Sequence, residues 1–407
     1  MEVLYPRCAG LDVHAGSVTA CVRIATGVEV RYEHRTVSTT TRGLLELADW
    51  LTSQRCTHVA MEATGVYWKP VWHVLEAHFT LVRANAMHIR AVPGRKSDMN
   101  DATWIADLLA HGLIRSSFVP PAPIQALRDL TRTRKQLVGE IARHTLRIQK
   151  ILEDANLKLT QVMTDILGAS GRAVLHALIA GETDPETLAD LTRGRLKAPR
   201  RALVDALHGR VTDHHRFMIE VHLTQIDGLE AALAAIDTHL GDALEPFRAA
   251  ISLLKTMPGI GDTTARVLIA EIGTDMTRFP SVGHLISWAG LCPRLDESAG
   301  KRRSTRTRQT ARWLKPMLVN AAWAATHKKE GYLSAQFLRI KSRRGAKKAI
   351  LAVANSMLTA AYYMLRDGVE YHDLGHEHFA QRDKDRVTKR LLQRLRDLGV
   401  VVEVKAA

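Results

Sequence analysis

The sequence predicts an α/β domain at its N-terminal end and a mainly α-helical region after it. Short β-rich runs separated by turn residues fill most of the chain before residue 85, whereas apolar side chains recur at helical spacing from about residue 125 onward. The chain has 407 residues, of which 46% are hydrophobic, so it is long enough to bury two or three cores.

Eight elements are predicted to follow one another in the N-terminal domain. The first three are strands of a meander, because β-rich runs begin at Cys8, Val18 and Val28 and turn residues separate them. The other five alternate: helix 41–54, strand 57–65, helix 66–77, strand 79–84 and a helix from about Asp98 to Leu113. This β-β-β-α-β-α-β-α order is that of ribonuclease-H-like folds, in which the first and fourth strands are neighbours.

Four carboxylates lie on these elements. Asp12 belongs to the first strand and Glu62 ends the fourth, while Asp98 and Asp101 are three residues apart on one face of the last helix. Four converging carboxylates without a cation would raise each other's pKa. Carboxylate oxygens suit Mg²⁺ or Mn²⁺, which leave coordination positions for phosphate oxygens. We therefore expect a Mg²⁺ site, with Mn²⁺ as the alternative ion, although singly Asp12 reads as a strand-end acid and Asp98 as a helix cap.

Positive charge is concentrated near the C-terminal end. The net charge is +15, and residues 301–350 alone hold 15 Lys and Arg against one acid, Glu330. So local an imbalance favours a phosphate-binding surface over an ordinary solvated face. The candidate nucleic-acid-binding residues are Lys301, Arg302, Arg303, Arg306, Arg308, Arg312, Lys341, Arg343, Arg344, Lys347 and Lys348.

A helix-hairpin-helix is predicted just before this basic region. One helix ends near Met257, the run 258–261 turns, and a second helix begins at Asp262. Gly259 and Gly261 would let the backbone approach a phosphate, which the N–H groups at the start of the second helix could hold. Plain packing of two helices is the alternative.

Two long helices are predicted between the metal domain and this motif. Apolar residues follow a 3-4 rhythm over 125–157 and again over 219–247, which suggests an antiparallel coiled coil with shorter helices at its tip. Arg134 and His144 interrupt the apolar seam. Dimerisation, RNA binding and purely intramolecular packing all stay open for this region, and a proline-rich run at 120–123 marks its beginning.

The remaining features point to a protein of the cytoplasm. Cys8, Cys21, Cys56 and Cys292 form no CxxC pair, so we expect reduced thiols. Met1-Glu2 lacks the basic and apolar parts of a signal peptide. The run 349–365 is short and interrupted by polar residues, so a buried helix is expected rather than a membrane span.

Several motifs together resemble the bacterial transposases of the insertion-sequence 110 family. The N-terminal motifs are Gly10-Leu-Asp12-Val-His14, Met61-Glu62-Ala-Thr-Gly-Val-Tyr-Trp68 and Lys96-Ser-Asp98-Met-Asn-Asp101. The C-terminal motifs are Pro258–Gly261, Ala270–Gly273, Phe279–Ser281, Ser287–Pro293 and Glu297-Ser298-Ala-Gly-Lys301. Each is weak alone, but their order and spacing make the resemblance specific over nearly the whole chain.

The resemblance implies a DNA recombinase guided by a structured non-coding RNA from the same mobile element. It also implies a bacterial protein associated with the nucleoid. It implies that Mg²⁺ on the four acids cooperates with Ser298, which stands in the Glu-Ser-x-Gly-Lys position, to form a covalent phosphoseryl intermediate. It also implies a homo-oligomer, a dimer or a tetramer, whose active sites combine acids and serine from different protomers. The implied domains are a RuvC-like catalytic domain (1–120), a helical coiled-coil region (121–250), a serine transposase domain (251–370) and a tail (371–407).

The residues themselves support a nucleophilic serine only in part. A serine hydroxyl needs a base or a metal for activation, and the nearest histidine in sequence to Ser298 is His284. Metal activation by distant carboxylates is the other route. Without the resemblance, Ser304 would be an equal candidate, and Ser298 could be a turn residue before a basic helix.

Two other functions fit the same residues. In a metal-dependent nuclease of the junction-resolvase type, the four acids activate water and no covalent adduct forms. In a non-catalytic nucleic-acid-binding protein, the acids are helix caps and sheet-end residues. A covalent adduct separates the recombinase from the first, and activity that depends on Mg²⁺ excludes the second.

Overall fold

The computed structural model describes residues 2–27, 29–62, 65–84, 89, 101–192, 198–293, 296–298, 300–304, 306–308, 311–382 and 384–400. Asp98 lies outside these residues. The chain divides into two compact units, one ending at Val119 and the other beginning at Pro120. Each unit is described by itself.

The first unit is built on a five-stranded sheet in the order β3-β2-β1-β4-β5. Strands β1 to β3 are antiparallel, whereas β4 is parallel to β1 and β5 is parallel to β4. The elements are β1 (Arg7–Val13), β2 (Ser17–Thr26), β3 (Glu29–Ser38), α1 (Thr41–Ser53), β4 (His58–Glu62), α2 (Trp68–Leu75), β5 (Thr80–Ala84) and α3 (Asp101–Ala110). The predicted order and the pairing of the first strand with the fourth are confirmed, and they fit a ribonuclease-H-like domain.

Helices cover both faces of this sheet. Side chains alternate between the faces along each strand. Leu11 of β1 and Met61 of β4 belong to the core under α1 and α2. Cys8 and Ala60, on the opposite face, belong to the core under α3. The residues that follow Leu11 and Met61 therefore project toward the α3 face.

Gly10 allows α3 to lie directly against β1. A Cβ atom at Gly10 would stand 2.2 Å from the carbonyl oxygen of Ala102 and 2.4 Å from the amide nitrogen of Ala106. The Sγ atom of Cys8, two residues earlier, donates a hydrogen bond to the carbonyl oxygen of Ala106 at 3.5 Å. No side chain fits between the strand and the helix here, so glycine is required by packing.

Two long antiparallel helices begin the second unit. They are α4 (Ala122–Asp154) and α9 (Asp213–Leu244). Four short helices lie between them in sequence and join the core at one end of the pair: α5 (Leu159–Val162), α6 (Ala169–Ile179), α7 (Pro185–Asp190) and α8 (Arg200–Leu207). The two helices that the apolar rhythm predicted are present, and they pack against each other within one chain.

Polar residues on the seam between α4 and α9 pair with polar residues. Arg134 donates to both carboxylate oxygens of Asp237, at 2.5 and 3.0 Å. These hydrogen bonds lower the pKa of Asp237. The Nδ1 atoms of His144 and His222 are 3.2 Å apart, and burial lowers the pKa of His222. The residues that interrupt the apolar pattern thus set the register of the helix pair.

Among the described residues after α9, the second unit contains helices and one β-hairpin. Its elements are α10 (Arg248–Lys255), α11 (Asp262–Ile272), α12 (Val282–Trp288), β6 (Asp296–Ser298), β7 (Lys301–Ser304), α13 (Leu314–Thr326), α14 (Tyr332–Arg344), α15 (Ala346–Asp367), α16 (His378–Arg382) and α17 (Lys384–Asp397). The mainly α-helical character expected of this region is confirmed, and the hairpin is an addition that the sequence did not predict. Helix α15 is largely buried, as predicted. In the described part of the chain, no helix has the length and apolar character needed to cross a membrane.

A buried ion pair joins α4 to α11. The side chain of Glu271 is 1% exposed, and Arg132 donates to its two carboxylate oxygens at 2.8 and 2.9 Å. Arg128, one turn earlier, lies 3.5 Å from the same carboxylate and donates to the carbonyl oxygen of Ala270 at 3.3 Å. Its guanidinium also lies over the ring of Trp288. Glu271 thus has two cationic partners in a nearly water-free position.

Replacing Gly10 by alanine should destabilise the first unit by about 1–3 kcal/mol or more, because α3 must move away from β1 to admit a methyl group. Urea unfolding followed by circular dichroism measures this change. Gly16→Ala is the matched control, since a Cβ atom at Gly16 has nothing within 4 Å. Equal stability of the two variants would contradict the packing argument.

Replacing Glu271 by alanine should lower the free energy of unfolding of the second unit by about 3–5 kcal/mol, because two arginines lose their buried partner. Tryptophan fluorescence in urea reports this change, since Trp288 lies beside Arg128. Glu140→Ala is the control. Glu140 pairs with Arg143 on the surface of α4, where ion pairs contribute about 1 kcal/mol or less. A Glu271 variant as stable as this control would show that the ion pair contributes little.

Candidate functional site

Asp12 and Glu62 lie side by side at one edge of the sheet. The parallel pairing of β1 with β4 aligns Cys8 with His58 and ends with Leu11 opposite Met61. Asp12 and Glu62 are the next residue on each strand. Because the strands are parallel, both carboxylates come at the carboxyl edge of the sheet, and both project toward the α3 face.

Asp101 begins α3 near the same edge. Residues early in α3, such as Ala102, lie against Gly10, whereas Ala110 at its end accepts a hydrogen bond from the amide of Leu4 at 2.8 Å. The helix therefore runs opposite to β1, and its first residue comes at the end of the strand where Asp12 lies. The fold brings three of the four predicted acids to one edge, while Asp98 lies outside the described residues.

The donor set at this edge suits a hard divalent cation. Its groups are carboxylates, whose oxygens Mg²⁺ and Mn²⁺ prefer. Within the part of the chain that the structure describes, no three His, Cys, Asp or Glu side chains are grouped closely enough to hold a metal ion. The carboxylates of Asp12 and Glu62 could bind such an ion, and Asp101, at the start of the neighbouring helix, is a candidate for a further ligand.

His14 is a partner of Asp12 that the sequence did not reveal. Its Nε2 atom lies 3.1 Å from Oδ2 of Asp12. The side chain of Asp12 is 26% exposed, whereas that of His14 is 64% exposed. The hydrogen bond orients one carboxylate oxygen and leaves the other for a further ligand. The i, i+2 spacing places both residues on one face of the strand end. This spacing is the feature of the sequence from which the contact could have been predicted.

Ser298 ends the first strand of the β-hairpin in the second unit. It is paired with Lys301, and Gly300 in the connecting turn has φ of +72°. That left-handed conformation favours glycine. The bridge between Pro293 and Thr307 holds the base of the hairpin. Ser298 is therefore at the tip of a hairpin, directly followed by the basic run.

Ser304 is at the other end of the second hairpin strand, opposite Asp296. Its Oγ atom accepts a hydrogen bond from the amide of Arg306 at 3.2 Å. This hydroxyl therefore supports the local turn. Ser298 and Ser304, equivalent in the sequence chemistry, occupy different positions in the hairpin.

A dense group of cations surrounds the junction between α14 and α15. Lys341, Arg343 and Arg344 are exposed in the last turn of α14, and Lys347 and Lys348 are exposed in the first turn of α15. No described acidic side chain forms an ion pair with any of the five. Gly345, with φ of +80°, separates the helices, and no side chain caps the N-terminus of α15. Free N–H groups beside two lysines make this junction suited to phosphate.

The other predicted basic residues lie on the second strand of the hairpin and after it. Lys301, Arg306 and Arg312 are exposed, and Arg308 is half-buried. Arg302 and Arg303 lie on β7, where the structure describes the backbone only. Lys315, a cation beyond the predicted set, donates to the hydroxyl of Thr307 at 2.6 Å, and burial lowers its pKa.

The predicted turn between α10 and α11 is present at 258–261. A Cβ atom at Gly259 would lie 2.2 Å from the carbonyl oxygen of Ala321, so packing against α13 requires this glycine. Gly261 has open space around it. Its position before Asp262 leaves the start of α11 accessible. Contact with a phosphate at this turn stays a prediction for Gly261 and for the backbone of Gly259.

The cysteines offer no competing nucleophile in the first unit. Cys8, Cys21 and Cys56 are buried and free. Burial raises the pKa of the Cys8 thiol to about 12 and that of Cys56 to about 12 as well. These thiols stay protonated at neutral pH and are poor nucleophiles.

Comparison with known families matches both ends of the chain. A transposase model of the DEDD type from IS110 matches residues 9–157, and a model described as "Transposase IS116/IS110/IS902 family" matches residues 251–338. The first includes Asp12, Glu62, Asp98 and Asp101, and the second includes Ser298. A DEDD-type domain suggests dependence on a divalent metal.

A protein of Streptomyces coelicolor is also similar. It is described as "Insertion element IS110 uncharacterized 43.6 kDa protein" and is 28% identical over 305 residues, which are 69% of this chain and 73% of that protein. The two family models together cover more than half of the chain, in the order expected from the motifs. The chain therefore belongs to the IS110 family of insertion-sequence transposases, a family that implies an enzyme cleaving and rejoining DNA.

Proposed function

We propose that this transposase cuts and rejoins DNA through a phosphoseryl intermediate on Ser298. The alignment of Asp12 with Glu62 on parallel strands, with Asp101 starting the adjacent helix, is the observation that carries the metal-dependent part of this proposal. The place of Ser298 in the Glu-Ser-x-Gly-Lys motif, at the tip of the hairpin, supports the phosphoseryl part. The alignment of the acids supports a site for the divalent metal that a DEDD-type domain suggests, and we propose Mg²⁺ as the ion. The metal would stabilise charge on the reacting phosphate.

The proposed step exchanges one phosphodiester bond for another. The Oγ atom of Ser298 attacks phosphorus and loses its proton to water. A deoxyribose oxygen departs with the electrons of the broken P–O bond and takes up a proton from water. Because the new bond is also a phosphodiester, a DNA hydroxyl can reverse the attack on another strand. No ATP is needed, which agrees with the absence of a Gly-x-x-x-x-Gly-Lys-Ser/Thr loop from the sequence.

The proposed partners are double-stranded DNA and a structured guide RNA. Exposed cations at the α14–α15 junction and after the hairpin support binding to a polyanion. The resemblance to the insertion-sequence 110 family supports guidance by RNA and assembly into a dimer or tetramer. Base pairing would then carry most of the sequence specificity, by analogy with other RNA-guided systems.

Ser298→Ala should abolish strand cleavage and leave nucleic-acid binding intact, because the variant lacks only the attacking oxygen. The measurement is a denaturing gel of full-length protein, RNA from the same element, Mg²⁺ and labelled junction DNA. A protein-linked DNA band is expected for wild type and for the control Ser304→Ala, but not for Ser298→Ala. Cleavage without such a band in all three proteins would instead identify a metal-dependent nuclease.

Asp12→Asn and Glu62→Gln should each lower the cleavage rate by about a hundredfold or more, since each removes a charged metal ligand and keeps the side-chain size. Mn²⁺ binding, followed by electron paramagnetic resonance, should weaken in parallel. Glu46→Gln is the control, because Glu46 is exposed on α1 of the same unit. Unchanged Mn²⁺ binding in both site variants would refute the metal assignment.

A further inference from the structure

A cleft in the second unit lies between α4, α9, α11 and α13. Its volume is about 410 Å³, within the range of about 300–1,000 Å³ that is usual for small-ligand sites. The residue Trp313, which immediately precedes α13, forms part of the wall. Val138, Leu240, Val267 and Met317 give the cleft an apolar lining. The cleft thus presents an apolar surface beside an indole ring.

Most charged residues of the cleft are already compensated. Arg134 pairs with Asp237 across α4 and α9. Arg266 pairs with Asp262 at 2.6 Å, and the buried pair of Arg132 with Glu271 closes the inner side. These residues present hydrogen-bonding groups without adding net charge.

Lys135 is the cation of this cleft without an acidic partner among the described residues. It is exposed at the rim, and its Nζ atom lies 5.7 Å from the ring centroid of Trp313. This arrangement of an ammonium group, an aromatic ring and an apolar lining suits a ligand that has a planar ring with a negative charge close to it. A nucleotide has both parts, because its base can stack on an indole while its phosphate meets the lysine.

The position of the cleft indicates where such a nucleotide would come from. Thr263, in the first turn of α11, lines it and follows the 258–261 turn. Trp313 follows the basic run that begins at Lys301. The cleft therefore adjoins, in sequence and in the fold of this unit, both segments proposed to contact DNA.

We propose that this cleft binds a single unpaired nucleotide of the DNA substrate, with its base against Trp313 and its phosphate at Lys135. The inference rests on the proposed function, because DNA is the source of the nucleotide. It adds a base-capturing site, distinct from the acids and from Ser298, that would favour DNA with a nucleotide out of the stack.

The first test compares DNA binding by fluorescence anisotropy. The probes are a duplex with one unpaired thymine, the same duplex with an abasic residue there, and the fully paired duplex. Wild type should bind the unpaired thymine about tenfold more tightly than the abasic probe, as expected for one stacked base. Equal affinities for these two probes in wild type would overturn the proposal.

Val138→Trp should fill the cleft from its rim and remove this preference without loss of paired-duplex binding, since Val138 is 44% exposed. Val221→Trp is the matched control, because Val221 is 37% exposed on α9 and lies outside the cleft. It should keep the preference. A Val138→Trp protein that still prefers the unpaired base would also overturn the proposal.

A second measurement separates this proposal from the proposed function. The full chain is irradiated with 5-iodo-2′-deoxyuridine monophosphate, and labelled peptides are mapped by mass spectrometry. Saturable labelling at Trp313 supports a nucleotide site in the cleft even if no duplex binds. In that case the proposed recombinase function is refuted and the nucleotide site is not. Labelling that instead favours the exposed Trp323, which lies outside the cleft, would refute the nucleotide site.

Discussion

The parallel pairing of β1 with β4 is the constraint on which the candidate active site depends. A shift of one residue would turn either Asp12 or Glu62 to the opposite face of the sheet, where the core under α1 and α2 lies. The apolar side chains of Leu11 and Met61 prevent such a shift, because both are fully buried. The packing of core residues thus places the carboxylates of Asp12 and Glu62 together. The close contact at Gly10 fixes the position of α3 along β1, and with it the position of the first residue of α3.

The second unit contains many cations, and its stability depends on where they lie. Half-buried arginines on α4 have specific acidic partners, as with Arg132 and Glu271 or Arg134 and Asp237. The cations at the α14–α15 junction have none among the described residues and are exposed. A buried charge without a partner is strongly destabilising, whereas an exposed one is tolerated. The arginines of the α4 ion pairs are therefore separate from the exposed cations at the α14–α15 junction.

Much of the first unit was predictable, because alternating apolar runs and turn residues specify the strands, and the order of the elements indicated that the first strand pairs with the fourth. The acids Asp12, Glu62 and Asp101 could be placed from the same pattern. The hairpin of Ser298 was not predictable, since 296–304 is mostly charged and polar and has no alternating apolar residues. The partners of Glu271 and the contact of Gly10 also escaped prediction. Each depends on residues about 90 or more positions apart, which a local pattern does not bring together.

Lys347 and Lys348 show why the basic surface is best understood through an anionic partner. The N-terminus of a helix carries partial positive charge, so lysines in the first turn of α15 are unfavourable by some tenths of a kcal/mol each. The three cations in the last turn of α14 are favourable to that helix, yet they bring five positive side chains into eight residues. Self-repulsion in this segment would decrease on binding of a phosphate between the two helix ends. The same arrangement that slightly weakens the free protein would therefore strengthen its hold on DNA, and would make that binding sensitive to salt.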